Sequence, residues 1–284
     1  MNAAEKARLA REQAMREEEV EKENLEATRE TEKVKSQIRS FASKQKWDIV
    51  TFGNYIDKSG RQPIEWLVLD KCGDEITLVS KNLIDTHGFC ETLCTSWKDS
   101  DIRAWLNDEF MNRAFTKTEQ KFLSSQTIES DYGMPSEGKY VTTTDKVYLL
   151  SRRDFVDQKE GKGFAKLFSK TTKDMLLNCK PTQYVEGKGI CKDGNNSKYS
   201  CWWTRDMESQ RCEIDVVTSP GKMAYIYQRL YEGVVCSGVI YAGNNLYVAL
   251  HESNRYIDGT REKNKDLRTY RSFGVRPVIT LKID

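Results

Sequence analysis

The first 47 residues contain neither glycine nor proline. Met1 to Trp47 is dominated by Glu, Lys, Arg, Gln and Ala, all good helix formers, so the chain opens with one long charged helix. Its apolar residues Leu9, Met15, Val20 and Leu25 follow at spacings of six, five and five. That pattern fits neither a heptad seam nor a wide amphipathic face, and a solvated spacer suits it better than a coiled coil. Nearer the end, Val34, Ile38 and Phe41 share one face, which predicts that the last turns dock on the following domain or on a second copy of the chain.

After Trp47 glycine, proline, cysteine and tryptophan all appear, and residues 48–284 read as the folded domain behind a stalk or assembly segment of residues 1–47. PIEWLVLD (Pro63 to Asp70) and EITLVS (Glu75 to Ser80) read as a hairpin turning at Gly73. In SDIRAWLNDEFMNRAF the residues Ile102, Trp105, Leu106, Phe110 and Ala114 fall at helical spacing behind Asp99 or Ser100 as N-cap, with Trp105 in the core. Thr116 and Glu119 form a capping box for a second short helix through Phe122 and Leu123. Ser130 to Tyr140 reads as a polar loop, KVYLLS as a strand and SRRDFVDQ as the start of a helix. VIYAGNNLYVALH is a hairpin with Gly243, Asn244 and Asn245 at its turn. In GVRPVITLKID, Ile279, Leu281 and Ile283 alternate with Thr280 and Lys282 as in a half-buried strand, and Pro277 belongs at its start or on an edge.

A formal net charge of +2 gives no electrostatic footprint for nucleic acid, so no such partner is expected. There is no apolar run near the roughly 20 residues of a membrane span, and no signal-peptide core after Met1. As written, the chain reads as cytoplasmic, with a cell-surface or particle-associated setting left open. The eight cysteines include no C-x-x-C pair. His87, Cys90 and Cys94 supply three metal-ligand types but no fourth, so free thiols are the simpler reading there. Pairing among Cys191, Cys201, Cys212 and Cys236 stays open. His87 and His251 sit in no catalytic frame, KDGNNS has too little charge for calcium, and glycine loops for phosphate are absent. The sequence leans away from an enzyme, and no cofactor or metal is expected.

The candidates for contact with a partner lie near the C-terminus. In SCWWTRD, Ser200 to Asp206, successive side chains of a strand point to opposite faces, so Trp202 and Trp203 are both interior only if both faces are covered. Trp203 is therefore a candidate stacking surface, with core packing as the alternative. Arg205 is a candidate ligand group or a structural fork, and Arg276 a structural one, each as an ion pair or a backbone-carbonyl clamp. Asn244, Asn245, Tyr247, Asn254, Arg255 and Tyr256 form a candidate binding face, because such residues make adaptable contacts in loops.

Seven segments in one order carry a resemblance: PIEWLVLD, SKNLID, TSWKDSDIRAWLNDEFMNRAF, KVYLLS, KPTQY, CWWTRD and FGVRPVI. They resemble an uncharacterised bacterial domain family common in gut Firmicutes, in which the corresponding runs end in WWLRS and VRPAL boxes. The two boxes are similar to those of C-type-lectin-like domains, the branch of formylglycine-generating enzymes and retroelement-diversified proteins. That resemblance implies an α+β fold with antiparallel sheets, two main helices and paired first and last strands, here PIEWLVLD and VRPVITLKI. It implies a non-catalytic module that binds a protein or glycan surface through loops between residues 201 and 271. A cysteine-dependent oxidoreductase, and a structural or assembly subunit that includes a diversified receptor or a homo-oligomer joined by the N-terminal helix, are the alternatives. Thr204 and Asp206 replace the leucine and serine of the first box. The segment from Asp206 to Arg271 is also longer than in such relatives, which marks it as the place for function.

Overall fold

In a computed structural model of the chain, helix α1 spans Ala3–Ser40 and a single 3-10 turn, Phe41–Ser43, ends it. The structure describes residues 3–57, 60–90, 94–131, 139–156, 176–188, 190, 198–208, 213–217, 223–231, 234–242, 245–247, 256–257, 260–261 and 273–283. Every side chain from Arg11 to Glu30 is exposed, whereas Val34, Ile38 and Phe41 are buried, as their spacing predicts. The helix docks on its own domain. Gln37 Nε2 donates to Thr51 O at 2.8 Å and Lys71 Nζ to Ala42 O at 2.6 Å. None of the described helices is long and apolar enough to cross a membrane.

Trp47, between helix and sheet, takes a positive φ of 74°, a costly conformation for a bulky residue. It is held there by Trp47 N–H to Val68 O, 2.8 Å, and Val68 N–H to Asp48 O, 3.0 Å. The chain then lays down β1 (Ile49–Asp57), β2 (Gly60–Cys72) and β3 (Glu75–Ser80) as an antiparallel meander. The β2–β3 turn is the expected one. Cys72 pairs with Glu75, and Gly73 at φ 60° supplies the left-handed first position of a two-residue hairpin loop. In β1 the register slips between Thr51 and Asn54, where Gly53 has φ 66°. A Cβ there would stand 2.6 Å from the Phe115 ring and 2.7 Å from Ala114 O. Gly53→Ala is expected to lose about 2 kcal/mol or more, from left-handed backbone plus overpacking, read as a lower urea midpoint.

Beyond β3 come β4 (Asp85–Thr86) and a helical stretch of three pieces: Asp101–Trp105, a π-helical turn Leu106–Phe110, and Met111–Ala114. Ser100 is the N-cap, its hydroxyl accepting from Arg103 N–H at 3.4 Å. Ile102, Leu106, Phe110 and Ala114 face the core as predicted, but Trp105 is only partly buried and stacks on His87 at 4.7 Å. The Thr116–Glu119 capping box closes reciprocally, at 3.1 and 2.7 Å, yet opens only a 3-10 turn, Glu119–Lys121. Part of the expected polar loop is a hairpin instead: β5 (Gln126–Asp131) pairs with β6 (Tyr140–Asp145). β7 (Val147–Leu149) and a short helix, Arg153–Val156, follow where KVYLLS and SRRDFVDQ place them.

The second half is mostly strand. β8 (Trp202–Glu208), β9 (Glu213–Val217), β10 (Met223–Tyr231), β11 (Val234–Ala242) and β12 (Asn245–Tyr247) run as one antiparallel meander. A separate pair, β13 (Tyr256–Ile257) with β14 (Thr260–Arg261), lies before β15 (Gly274–Val275) and β16 (Pro277–Lys282). One sheet has the order β1-β2-β3-β16-β7 and the other β12-β11-β10-β9-β8-β15-β4. The chain is thus α+β, a long helix followed by largely antiparallel sheets.

Two expectations change at β16. It pairs with β3 and β7, register Ile279 to Leu78 and to Val147, so EITLVS lies between PIEWLVLD and the last strand. As a central strand it is also covered on both faces: Thr280 is buried beside Thr77, with the two hydroxyls 3.2 Å apart. Pro277 takes the first position of the strand, where its missing N–H costs least.

Candidate functional site

Strand β8 carries WWTRDME, and every side chain from Trp202 to Met207 is buried. Trp202 donates Nε1–H to Leu177 O at 3.2 Å, with the Arg276 guanidinium 5.1 Å from its ring centroid. Trp203, on the opposite face, donates to His87 O at 2.8 Å and packs on Phe273 at 4.7 Å and Phe89 at 5.5 Å. Both faces are covered. Trp203 is therefore no stacking platform for a ligand, because the His87–Phe89 segment and Phe273 fill the space in front of it.

Arg205 is equally enclosed. Its Nη1 donates to Leu149 O at 2.7 Å and contacts Asp154 Oδ2 at 3.2 Å, while Nε and Nη2 reach Glu129 O at 3.4 and 3.3 Å. One guanidinium thus ties β5 and β7 to β8, a use of its planar fork that leaves it no free face for a partner. Asp206 is the matching acceptor: Oδ1 takes Asp131 N–H at 3.1 Å and Ser151 Oγ–H at 3.0 Å, and Oδ2 takes Arg152 N–H. Beside it Asp131 forms a two-point pair with Arg153, at 2.9 and 2.7 Å, and Arg153 lies 4.1 Å above the exposed Tyr140 ring.

Burial first, then the neighbouring Asp206 carboxylate, pushes Asp131 up to about 6, against the pull of Arg153. Burial raises Asp154 as well, with Arg205 opposing, and lifts the buried Tyr148 to about 12. A raised carboxyl pKa means the folded state holds its proton more tightly than the unfolded chain does. The stabilising contribution of Asp131 is full below about pH 4 and is lost as pH rises through about 6. Asp131→Asn is expected to flatten this dependence, so that wild type gains more thermal stability than the variant between pH 7.5 and 5.

Of the two structural roles open to Arg276, ion pair and carbonyl clamp, it takes the clamp. It is buried, with Nε–H to Ser80 O at 3.0 Å and Nη1–H to Leu176 O, and among the described residues it makes no carboxylate pair. Burial lowers its pKa, with the Cys179 thiol opposing. A second polar cluster joins β1 to β4: Asp85 accepts from Tyr55 OH at 2.5 Å, from Thr86 N–H at 2.7 Å and from Lys188 Nζ. Burial and Asp85 together raise the Tyr55 pKa and keep its proton on. The adjoining cleft, lined by Tyr55, Gln62, Glu65, Asn82 and Thr182, holds about 70 Å³, far below the roughly 300 Å³ of a small-molecule site.

Cys90 and Cys94 are joined as a disulfide, so the His87–Cys90–Cys94 spacing offers no thiolates to a metal and is not the free-thiol pair expected there. Cys179 is a free, buried thiol, Cys201 is buried, and Cys72 is free and exposed. Among the described residues no group of three His, Cys, Asp or Glu converges as a metal site. Of the predicted binding face, Asn244, Asn254 and Arg255 lie outside the described residues. Asn245, Tyr247 and Tyr256 fall in β12 and β13, with side chains outside the described set. The segment between the two boxes is richer in strands than the expected loops.

No curated protein and no solved structure matches the chain. A family profile does, over residues 74–283, from the β2–β3 turn to just past β16. Within that span the first strand, β3, pairs with the last, β16, whereas PIEWLVLD, the strand expected to close on it, pairs with β1 and β3 instead. The chain belongs to the family described as a domain of unknown function, DUF6273.

Proposed function

We propose that this chain is a non-catalytic recognition module of C-type-lectin-like architecture, presented on α1, which grips a protein or glycan surface through the segment between residues 201 and 271. One observation carries the reading. The meander leaves the buried β8 and steps outward through β9, β10 and β11 to β12, whose residues Asn245–Tyr247 form the end of its sheet. Buried aromatics and an arginine pin β8, the inner strand of that meander, the arrangement in which a stiff scaffold supports a contacting edge. The return of the last strand to the opening meander, beside β3 rather than β2, supports an architecture closed by its terminal strand, and the exposed length of α1 supports display at a distance.

The test is a glycan and protein array probed with the full chain, then with Asn244, Asn245, Tyr247, Asn254, Arg255 and Tyr256 replaced by alanine. Ligands retained by the parent and lost by the variant, at unchanged thermal stability, support the reading. Equal binding by both removes it. Turnover of a cysteine-containing peptide that vanishes when Cys201, Cys212 and Cys236 are together replaced by Ser, while the fold persists, would replace it with a cysteine-dependent oxidoreductase. A retroelement-diversified receptor further predicts that substitutions among isolates crowd between Gly243 and Arg271.

A further inference from the structure

We propose that α1 pairs antiparallel with α1 of a second copy of this chain. The exposed stretch from Arg11 to Glu30 leaves about 30 Å of bare helix at 1.5 Å per residue, with Met15, Val20 and Leu25 in water. Its charges are segregated. From Glu5 to Arg16 there are four basic and two acidic residues; from Glu17 to Glu32 there are eight acidic and two basic. The basic block stands at the helix N-terminus, the positive end of the macrodipole, so a lone helix gains nothing from this order.

A parallel pair would set acidic block on acidic block. An antiparallel pair with its two-fold axis near Glu17 sets each acidic block beside the basic block of the other copy. Arg8, Arg11 and Arg16 then come level with Glu26, Glu23 and Glu18 of the second copy. Glu5 and Glu12 come level with its Arg29 and Lys22, and Leu9 with its Leu25. Axes of packed helices lie about 8–10 Å apart, close to the screening length at physiological salt, so charges on the two helices still interact. Charge order rather than a heptad seam selects the register, and the two folded domains end on opposite sides of the pair. This pairing does not rest on the recognition reading.

Light scattering on the full chain tests it. The expected result is twice the chain mass at low salt and the single-chain mass near about 1 M salt, where the screening length falls to about 3 Å. The triple variant R8E/R11E/R16E and the triple variant E18R/E23R/E26R should each self-associate at least about ten-fold more weakly, yet form a one-to-one complex when mixed. The six-fold exchange that combines them should dimerise again, which a parallel pair cannot do. Circular dichroism on every variant shows whether the helix persists. A monomer at low salt and high protein concentration, a dimer indifferent to the triple reversals, or a six-fold variant that stays monomeric overturns the proposal.

Discussion

Trp203→Ala is expected to destabilise the protein by about 3–5 kcal/mol, the range for deleting a buried aromatic side chain. The loss has two parts. A cavity opens between Phe273 and Phe89, and His87 O loses its indole donor. Urea denaturation followed by circular dichroism measures it, with Trp105→Ala as the comparison. Trp105 is half-buried against His87, so its removal should cost well under half as much. If the two variants lose equal stability, or Trp203→Ala loses under about 1 kcal/mol, the enclosed position assigned to Trp203 is wrong.

Arg205→Ala should be comparably severe, about 3–5 kcal/mol, because it strands the buried Asp154 carboxylate and leaves Leu149 O and Glu129 O without their donor. Arg205→Lys keeps the charge but not the fork, so an intermediate loss is expected. Burial already raises Asp154, and removing the opposing guanidinium raises it further. The stranded carboxyl then takes up a proton as pH falls. The deficit of Arg205→Ala should therefore be smaller at pH 5 than at pH 8, and a deficit independent of pH would show that Asp154 is not the group left uncompensated.

Features that depend on neighbours in sequence were legible before the structure. The docking face of Val34, Ile38 and Phe41, the Ser100 cap, the Thr116–Glu119 box, the Gly73 turn and the start of β16 at Pro277 all follow from residues within a turn or two of each other. What was missed depends on distant segments. Thr280 is buried because Thr77 lies 203 residues away in sequence on the adjacent strand, and no alternation inside VITLKI reports that. β1 went unrecognised because its bulge at Gly53 breaks the alternation of the strand. The β5–β6 hairpin is rich in threonine and acids, so it reads as loop until its pairing is known.

The candidate site shows the same division. Two adjacent tryptophans cannot say whether one face or both will be covered, and Trp203 was enclosed by segments 116 residues before it and 70 after. The bonds that tie Asp131, Ser151, Arg152 and Asp154 to Arg205 and Asp206 span separations of 51 to 75 residues. Its one local signal was the aspartate standing where the resembling box has serine. That departure marked a hub for three donors, one from β5 and two from the connection after β7, rather than a ligand contact.

Between Val275 in one sheet and Pro277 in the other stands a single residue, Arg276, whose guanidinium is wrapped by Ser80 O and Leu176 O. With no slack in that crossing, neither sheet can swing or peel away without dragging a buried cation off its carbonyls. Tension applied at the C-terminus would load both layers at once, and the head would answer a pull as a single mechanical body.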